Sequence, residues 1–216
     1  RGASMESSLP RLTTQSGDYS ELDDLRSRGD RAVAEAFDRY RGKLLRMITV
    51  RMDGRIVGKV DGEDVLQDAF VENTRRIRDY LDRPTVPLFV WLRQITSQVL
   101  IDTHRRYLGA KMRDVRQEVT LYREGRSDTS SALLVAHLAD SLTSPSQFAV
   151  RGENVEHLAD ALDELDEIDR EVLVLRHLEE LSNNEVAEIL GIDKYAASKR
   201  YLRALARLRR VMTLDL

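Results

Sequence analysis

The chain has 216 residues, with 34 Lys and Arg against 37 Asp and Glu, a formal net charge of −3 and no cysteine. That composition suits one or two small globular domains and excludes disulfides, thiolate zinc sites and cysteine nucleophiles. No run reaches the apolar length of a bilayer span and no signal-peptide pattern opens the chain, so a cytoplasmic protein without membrane insertion is expected.

Residues 1–4, before Met5, read as a tag remnant. Residues 5–17 are Ser/Thr-rich and aperiodic, so 1–18 is expected to be disordered. A short helix is predicted over 19–26. From Asp30 an apolar stripe of Ala32, Val33, Ala36, Phe37, Tyr40, Leu44, Leu45, Met47 and Ile48 predicts a long helix, broken near Gly54 and Gly58. Asp61 is the expected N-cap of the next helix, which runs to about Leu81. Leu66, Ala69, Phe70, Asn73, Ile77, Tyr80 and Leu81 share its inner face, and Asp64, Asp68, Val71 and Arg75 its outer one. An apolar valine beside two carboxylates suits a docking surface, although a plain solvated face fits the pattern nearly as well.

Pro84 and Pro87 bracket a loop, after which 88–107 reads as a helix with Phe89, Leu92, Ile95, Val99 and Leu100 inward. Arg93, Gln94, Ser97, Gln98, His104 and Arg105 form its other side, polar and basic as a nucleic-acid strand requires. Trp91, at the seam, is assigned to the core ahead of base stacking. Residues 114–152 read as a linker holding one transient or partner-bound helix around Leu133, Leu134 and Val135. Val155, Leu158, Ala159, Leu162 and Leu165 then mark an acidic amphipathic helix. Asp169 is the expected cap of another, carrying Val172, Leu173, Leu175 and Leu178.

Residues 182–193 read as a short helix and tight turn. Ser182 and Glu185 make a capping box, Val186, Ile189 and Leu190 share a face, and Gly191 ends the helix. In the basic helix that follows, Ala197, Tyr201, Ala204, Leu205, Leu208 and Val211 face inward. Tyr195, Lys199, Arg203 and Arg210 face out, flanked by Arg200, Arg207 and Arg209. Seven Lys/Arg and no acid between 194 and 210 make this a helix-turn-helix built for phosphate. Nine acidic residues against one arginine over 153–171 precede it, and that segregation suggests that the acidic segment lies against a basic face.

No period-two alternation occurs, so an all-α fold is predicted: two small helical domains, 19–113 and 153–216, joined by the linker. The histidines, His104, His137, His157 and His177, have no metal spacing. Phosphate loops and nucleophile elbows are absent from the sequence, and the acidic pairs lack a His or Lys partner. No enzymatic activity, metal or cofactor is expected.

Two sets of motifs resemble the RNA polymerase sigma factors of bacteria. Asp64-Val65-Leu66-Gln67-Asp68-Ala69-Phe70 and Phe89-Val90-Trp91-Leu92-Arg93-Gln94-Ile95, through Ile101-Asp102 and Arg105-Arg106, are similar to region two. Leu162-Asp163-Glu164-Leu165, Arg170-Glu171-Val172-Leu173, Glu185-Val186-Ala187-Glu188-Ile189-Leu190-Gly191 and Ser198-Lys199-Arg200-Tyr201-Leu202-Arg203-Ala204 are similar to region four. Only these two regions and a linker point to the extracytoplasmic-function group. The resemblance implies core RNA polymerase as partner, through its clamp helices and beta flap, with Asp64, Gln67, Asp68 and Val71 as contacts. It implies promoter DNA at two places. Arg93, Gln94, Ser97, Gln98 and Arg105 would hold the melted minus-ten strand. Tyr195, Ser198, Lys199, Leu202 and Arg203 would read the minus-thirty-five duplex. An anti-sigma protein is a further expected partner. The reading from a different class is a stand-alone helix-turn-helix repressor or activator.

Overall fold

The structure is a computed structural model that describes residues 16–108, 128–142 and 151–213. Every regular element among them is a helix, beside one isolated bridge between Val57 and Val60. The segment expected to be disordered falls on undescribed residues except at its end, where α1 (Ser16–Arg28) starts three residues earlier than the short helix predicted at 19. Gly29, with φ of +59°, turns the chain into α2 (Asp30–Arg51), a conformation that costs glycine least.

α3 (Gly62–Asp82) starts at Asp61, whose side chain accepts from the Glu63 N–H at 3.0 Å, as the sequence predicts. α4 (Leu88–Leu108) follows the two-proline loop. These four helices bury Leu25, Phe37, Leu44, Met47, Leu66, Ala69, Leu92 and Leu100 in one core, where Phe37 meets Phe70 edge to face at 5.1 Å. Trp91, half-buried, stacks on Tyr80 at 4.7 Å. The indole belongs to the core, as expected.

Part of the predicted linker is packed structure. Residues 128–142 form α5 (Asp128–Leu142), with Leu134 and Leu138 fully buried beside Leu158, Leu162, Leu173 and Val50. A helix burying two leucines is no transient element, because each fully buried side chain is worth about 1.5–3 kcal/mol. The rest of the linker, 114–127 and 143–150, lies outside the described residues.

α6 (Arg151–Asp163) leads to α7 (Glu167–Leu173), whose N-cap is Asp166 rather than Asp169. Asp166 accepts from the Ile168 N–H at 3.0 Å. Asp169 is buried instead, for a reason given below. The chain then widens into one π-helical turn (Val174–Leu178), closed by the Glu179 N–H donating to the Val174 carbonyl at 3.1 Å. α8 (Asn183–Leu190) has the predicted capping box and a left-handed Gly191 at φ +63°. α9 (Lys194–Thr213) completes the helix-turn-helix.

The two halves pack on each other. Val172, Leu175, Leu181, Val186, Ala187 and Ala197 join the core of α1–α4, while Val50 at the end of α2 joins that of α5–α9. Polar contacts line the same seam. Lys43 Nζ donates to Glu185 at 2.6 Å, and Arg46 pairs with Glu180 at 3.3 Å.

Candidate polymerase and nucleic-acid interfaces

Three faces carry the residues singled out by sequence. On α3, Asp64, Gln67, Asp68 and Val71 are all exposed, and Val71 stands 61 % in solvent. Beside them a groove of about 280 Å³ opens between α2 and α3, lined by Phe37, Arg41, Leu66, Gln67 and Phe70. The helix spacing that buries Val65, Leu66 and Ala69 inward leaves this acidic edge with its one large apolar side chain outward.

The second face, on α4, is only partly open. Gln94, Gln98 and Arg105 are exposed; the Gln98 side-chain oxygen accepts from Arg76 at 3.0 Å, and Arg105 pairs with Asp102 at 3.4 Å. Arg93 and Ser97 are buried. The Ser97 hydroxyl donates to Met47 Sδ at 3.4 Å. Arg93 Nε and Nη2 donate to Glu179 at 3.1 and 3.0 Å. His104 accepts from the Asp53 N–H at 3.2 Å, which ties down the loop after α2. The sequence pattern points Arg93, Ser97 and His104 toward a strand; here each is engaged within the protein, Arg93 by Glu179 just after the π turn, Ser97 by Met47 of α2 and His104 by the loop after α2.

Glu179 is the hinge of that packing. It also accepts from Arg51 Nε at 2.7 Å, and Arg51 reaches Glu171 with its other nitrogens. Burial alone would raise the Glu179 carboxyl, but Arg93 and Arg51 outweigh it and hold the group below the usual carboxylate range. Burial likewise works against the charge of Arg51, and Glu171 and Glu179 more than restore it. A sequence signal for Arg51 existed. It follows Leu44, Met47 and Ile48 at helical spacing, so a charge lies on an apolar stripe and needs a partner. Nothing local in the sequence identifies Glu179 as that partner.

The third face is open. Tyr195 and Leu202 are 75 % and 64 % exposed, Lys199 and Arg203 are exposed between them, and Ser198 is at the margin. Ala197, Ala204 and Leu208 face inward as predicted. The helix is less uniformly cationic than its sequence suggests, since at least three of its seven cations are paired. Arg200 and Arg203 meet Asp169, and Arg207 meets Glu164 at 2.9 Å. The acidic segment does lie against a basic helix, along the flank of α9 rather than across its outward face.

Residues 156–208 match the family model described as Sigma-70, region 4. The chain is 29 % identical over 147 residues to a probable RNA polymerase sigma factor, RfaY, of Xanthomonas campestris pv. campestris, covering 68 % of this chain and 33 % of that protein. It is 28 % identical to the RNA polymerase sigma factor CnrH of Cupriavidus metallidurans, over 74 % of this chain and 77 % of the relative. To the ECF RNA polymerase sigma-E factor of Haemophilus influenzae it is 27 % identical, over 77 % and 79 %. The match thus spans a third of the first relative and about three quarters of the other two. Among solved structures, CnrH in complex with the cytosolic domain of CnrY aligns over 92 % of this chain and 99 % of that one, at a TM-score of 0.47 and 22 % identity. Residues 156–208 thus carry a sigma-70 region 4, and the chain is similar to RNA polymerase sigma factors, one of them named for the ECF group.

Proposed function

We propose that this chain binds core RNA polymerase, directs it to particular promoters and helps melt the minus-ten element. The observation that carries the reading is the outward face of α9. Tyr195, Lys199 and Leu202 stand exposed on a helix fixed by a capped α8 and a left-handed Gly191, within the stretch that matches region four. The acidic, valine-bearing edge of α3 suits the clamp helices, and the loop before α4 suits the melted strand. That loop is held from below, where the Tyr80 hydroxyl donates to the Val86 carbonyl at 2.9 Å. None of these roles needs chemistry of the chain's own, a metal or a cofactor, and the workplace is the cytoplasm. An anti-sigma partner belongs to the same reading.

The reading has a mechanical consequence. With its guanidinium bonded to Glu179 after the π turn, Arg93 is out of reach of a DNA strand, so its use in promoter melting requires the α7–α9 block to leave α4. Polymerase supplies the competing contacts. The test is reconstitution: purified chain, core polymerase and fragments of its own genome, scored by run-off transcripts. Specific initiation is expected. A chain that ignores polymerase and binds a symmetric operator alone overturns the proposal.

A further inference from the structure

We propose that Asp169 is a positioning residue for Arg203, fixing its guanidinium as a rigid fork for a base edge of the minus-thirty-five duplex. This rests on the promoter reading above and adds a residue that lies outside the recognition helix. Asp169 sits on α7 beneath α9 and is 3 % exposed. Its Oδ2 accepts from Arg203 Nε at 2.7 Å and its Oδ1 from Arg203 Nη2 at 2.7 Å. Oδ1 also accepts from Arg200 Nη1 at 2.8 Å. Two parallel bonds fix the plane of a guanidinium in a way one bond cannot.

Those bonds occupy one edge of the Arg203 fork. The opposite edge, Nη1 with the second hydrogen of Nη2, is left by planar geometry on the far side, and Nη1 has no partner among the described residues. The side chain is still 57 % exposed, beside Lys199 and Leu202. That free edge carries two parallel donors, the pattern that matches guanine O6 and N7. Arg93 shows the contrast: its fork is bonded to Glu179 and buried.

Holding Arg203 in place removes an ordering cost that is met only at the matching base. A free arginine with the same charge would bind duplex as tightly overall but choose less sharply. A merely structural tie between α7 and α9 would, when cut, weaken all DNA binding together. The two roles therefore move the ratio of affinities differently.

The experiment uses holoenzyme assembled from the full chain and core polymerase, presented with duplexes randomised upstream of a fixed start region. Bound molecules are sequenced, and base preference is read at each position. Arg203→Ala is expected to flatten one position, a loss of about 5- to 150-fold in preference. Asp169→Asn should reduce the preference at that same position by about 2- to 12-fold. Total duplex retained should hold or rise, because a negative charge near phosphate has gone. Asp169→Glu keeps the charge and moves the carboxylate by one methylene; it should lower the same preference and serves if the asparagine variant does not fold. If either Asp169 variant leaves the Arg203-dependent position sharp, or Arg203→Ala flattens none, the inference is wrong. A wild-type holoenzyme that selects no motif removes the promoter reading and this inference together.

Discussion

Arg93 on α4 and Arg203 on α9 both donate two hydrogen bonds to one carboxylate, and they end in opposite states. Arg93 is buried beneath the second half of the chain, sharing Glu179 with Arg51 from a third helix. Arg203 shares Asp169 with Arg200 from its own helix and keeps more than half of its side chain in water. An arginine paired across a seam between halves works as a latch. Paired within one half, it is braced. Sequence pattern alone cannot tell the two apart, since both look like a basic residue on the polar side of an amphipathic helix.

The largest effect should come from preventing the latch from opening. The chain has no cysteine, so Lys43→Cys with Glu185→Cys creates a unique thiol pair across the seam, where the native side chains meet at 2.6 Å. A short reducible crosslinker bridging the two should bring open-complex formation down to that of core polymerase alone, and reductant should restore it. Full melting by the bridged protein would show that the minus-ten face works without the halves parting.

Removing the central carboxylates comes next and measures the contrast directly. Glu179→Ala leaves Arg93 buried without a partner, which should cost the packed arrangement about 3–5 kcal/mol. Fluorophore pairs placed on α3 and α9 should report the halves separating. Asp169→Ala strips Arg203, which can turn to water, and Arg200, which keeps Asp166 at 3.4 Å, so about 1–2 kcal/mol is expected, with no separation. Equal losses in the two variants would erase the distinction between latch and brace. Acid gives a second handle on Glu179. Its folded-state pKa lies below the unfolded value, so its contribution is complete above the ordinary carboxylate range and is lost as pH falls through the folded value. The halves should hold together from neutral pH down to the ordinary glutamate range, about 4.3, and part only as the pH falls below it. A transition at pH 6–7 would point to a histidine instead.

Effects on the outer faces should be smaller and separable. Lys199→Ala with Arg203→Ala should weaken promoter use by about 1–3 kcal/mol for each base edge that is no longer bonded, with polymerase binding unchanged. Asp64→Arg with Asp68→Arg should do the reverse. Co-elution with core polymerase and filter binding to promoter duplex tell the two apart, and crossed results would reassign the faces.

What is legible in the sequence follows from the range of the forces involved. The Asp61 cap, the Ser182–Glu185 box and the Gly191 stop are set by neighbours within four residues, and each is where the sequence puts it. The exposed edge of α3 and the outward face of α9 follow from helical period. Arg93 departs from its expected place because Glu179, which holds it, lies more than eighty residues away, and Ser97 because it meets Met47 of α2, fifty residues before it. Asp169 looks like a cap because it stands near a helix start, yet its true partners lie on α9, two helices further on. The π turn has no period of its own and leaves no sequence mark. Glu179 follows it directly and is buried, and the next residue records the strain.

That residue is Glu180, the one non-glycine with positive φ among the described residues, at +55°. A left-handed backbone costs a residue with a Cβ roughly 1–2 kcal/mol, and glycine very little. Glu180 recovers part of this through Arg46 at 3.3 Å, a pair with both side chains well in solvent and worth about 0–1 kcal/mol. Glu180→Gly should therefore stabilise the chain by about 0.5–1 kcal/mol, a rise in Tm of about 1–4 °C for a chain of this size. The gain should vanish when Glu179→Ala is also present, because the strained turn is needed only while Glu179 is aimed at Arg51 and Arg93. If the glycine variant raised Tm equally in both backgrounds, the strain would belong to the loop before α8 and not to the latch.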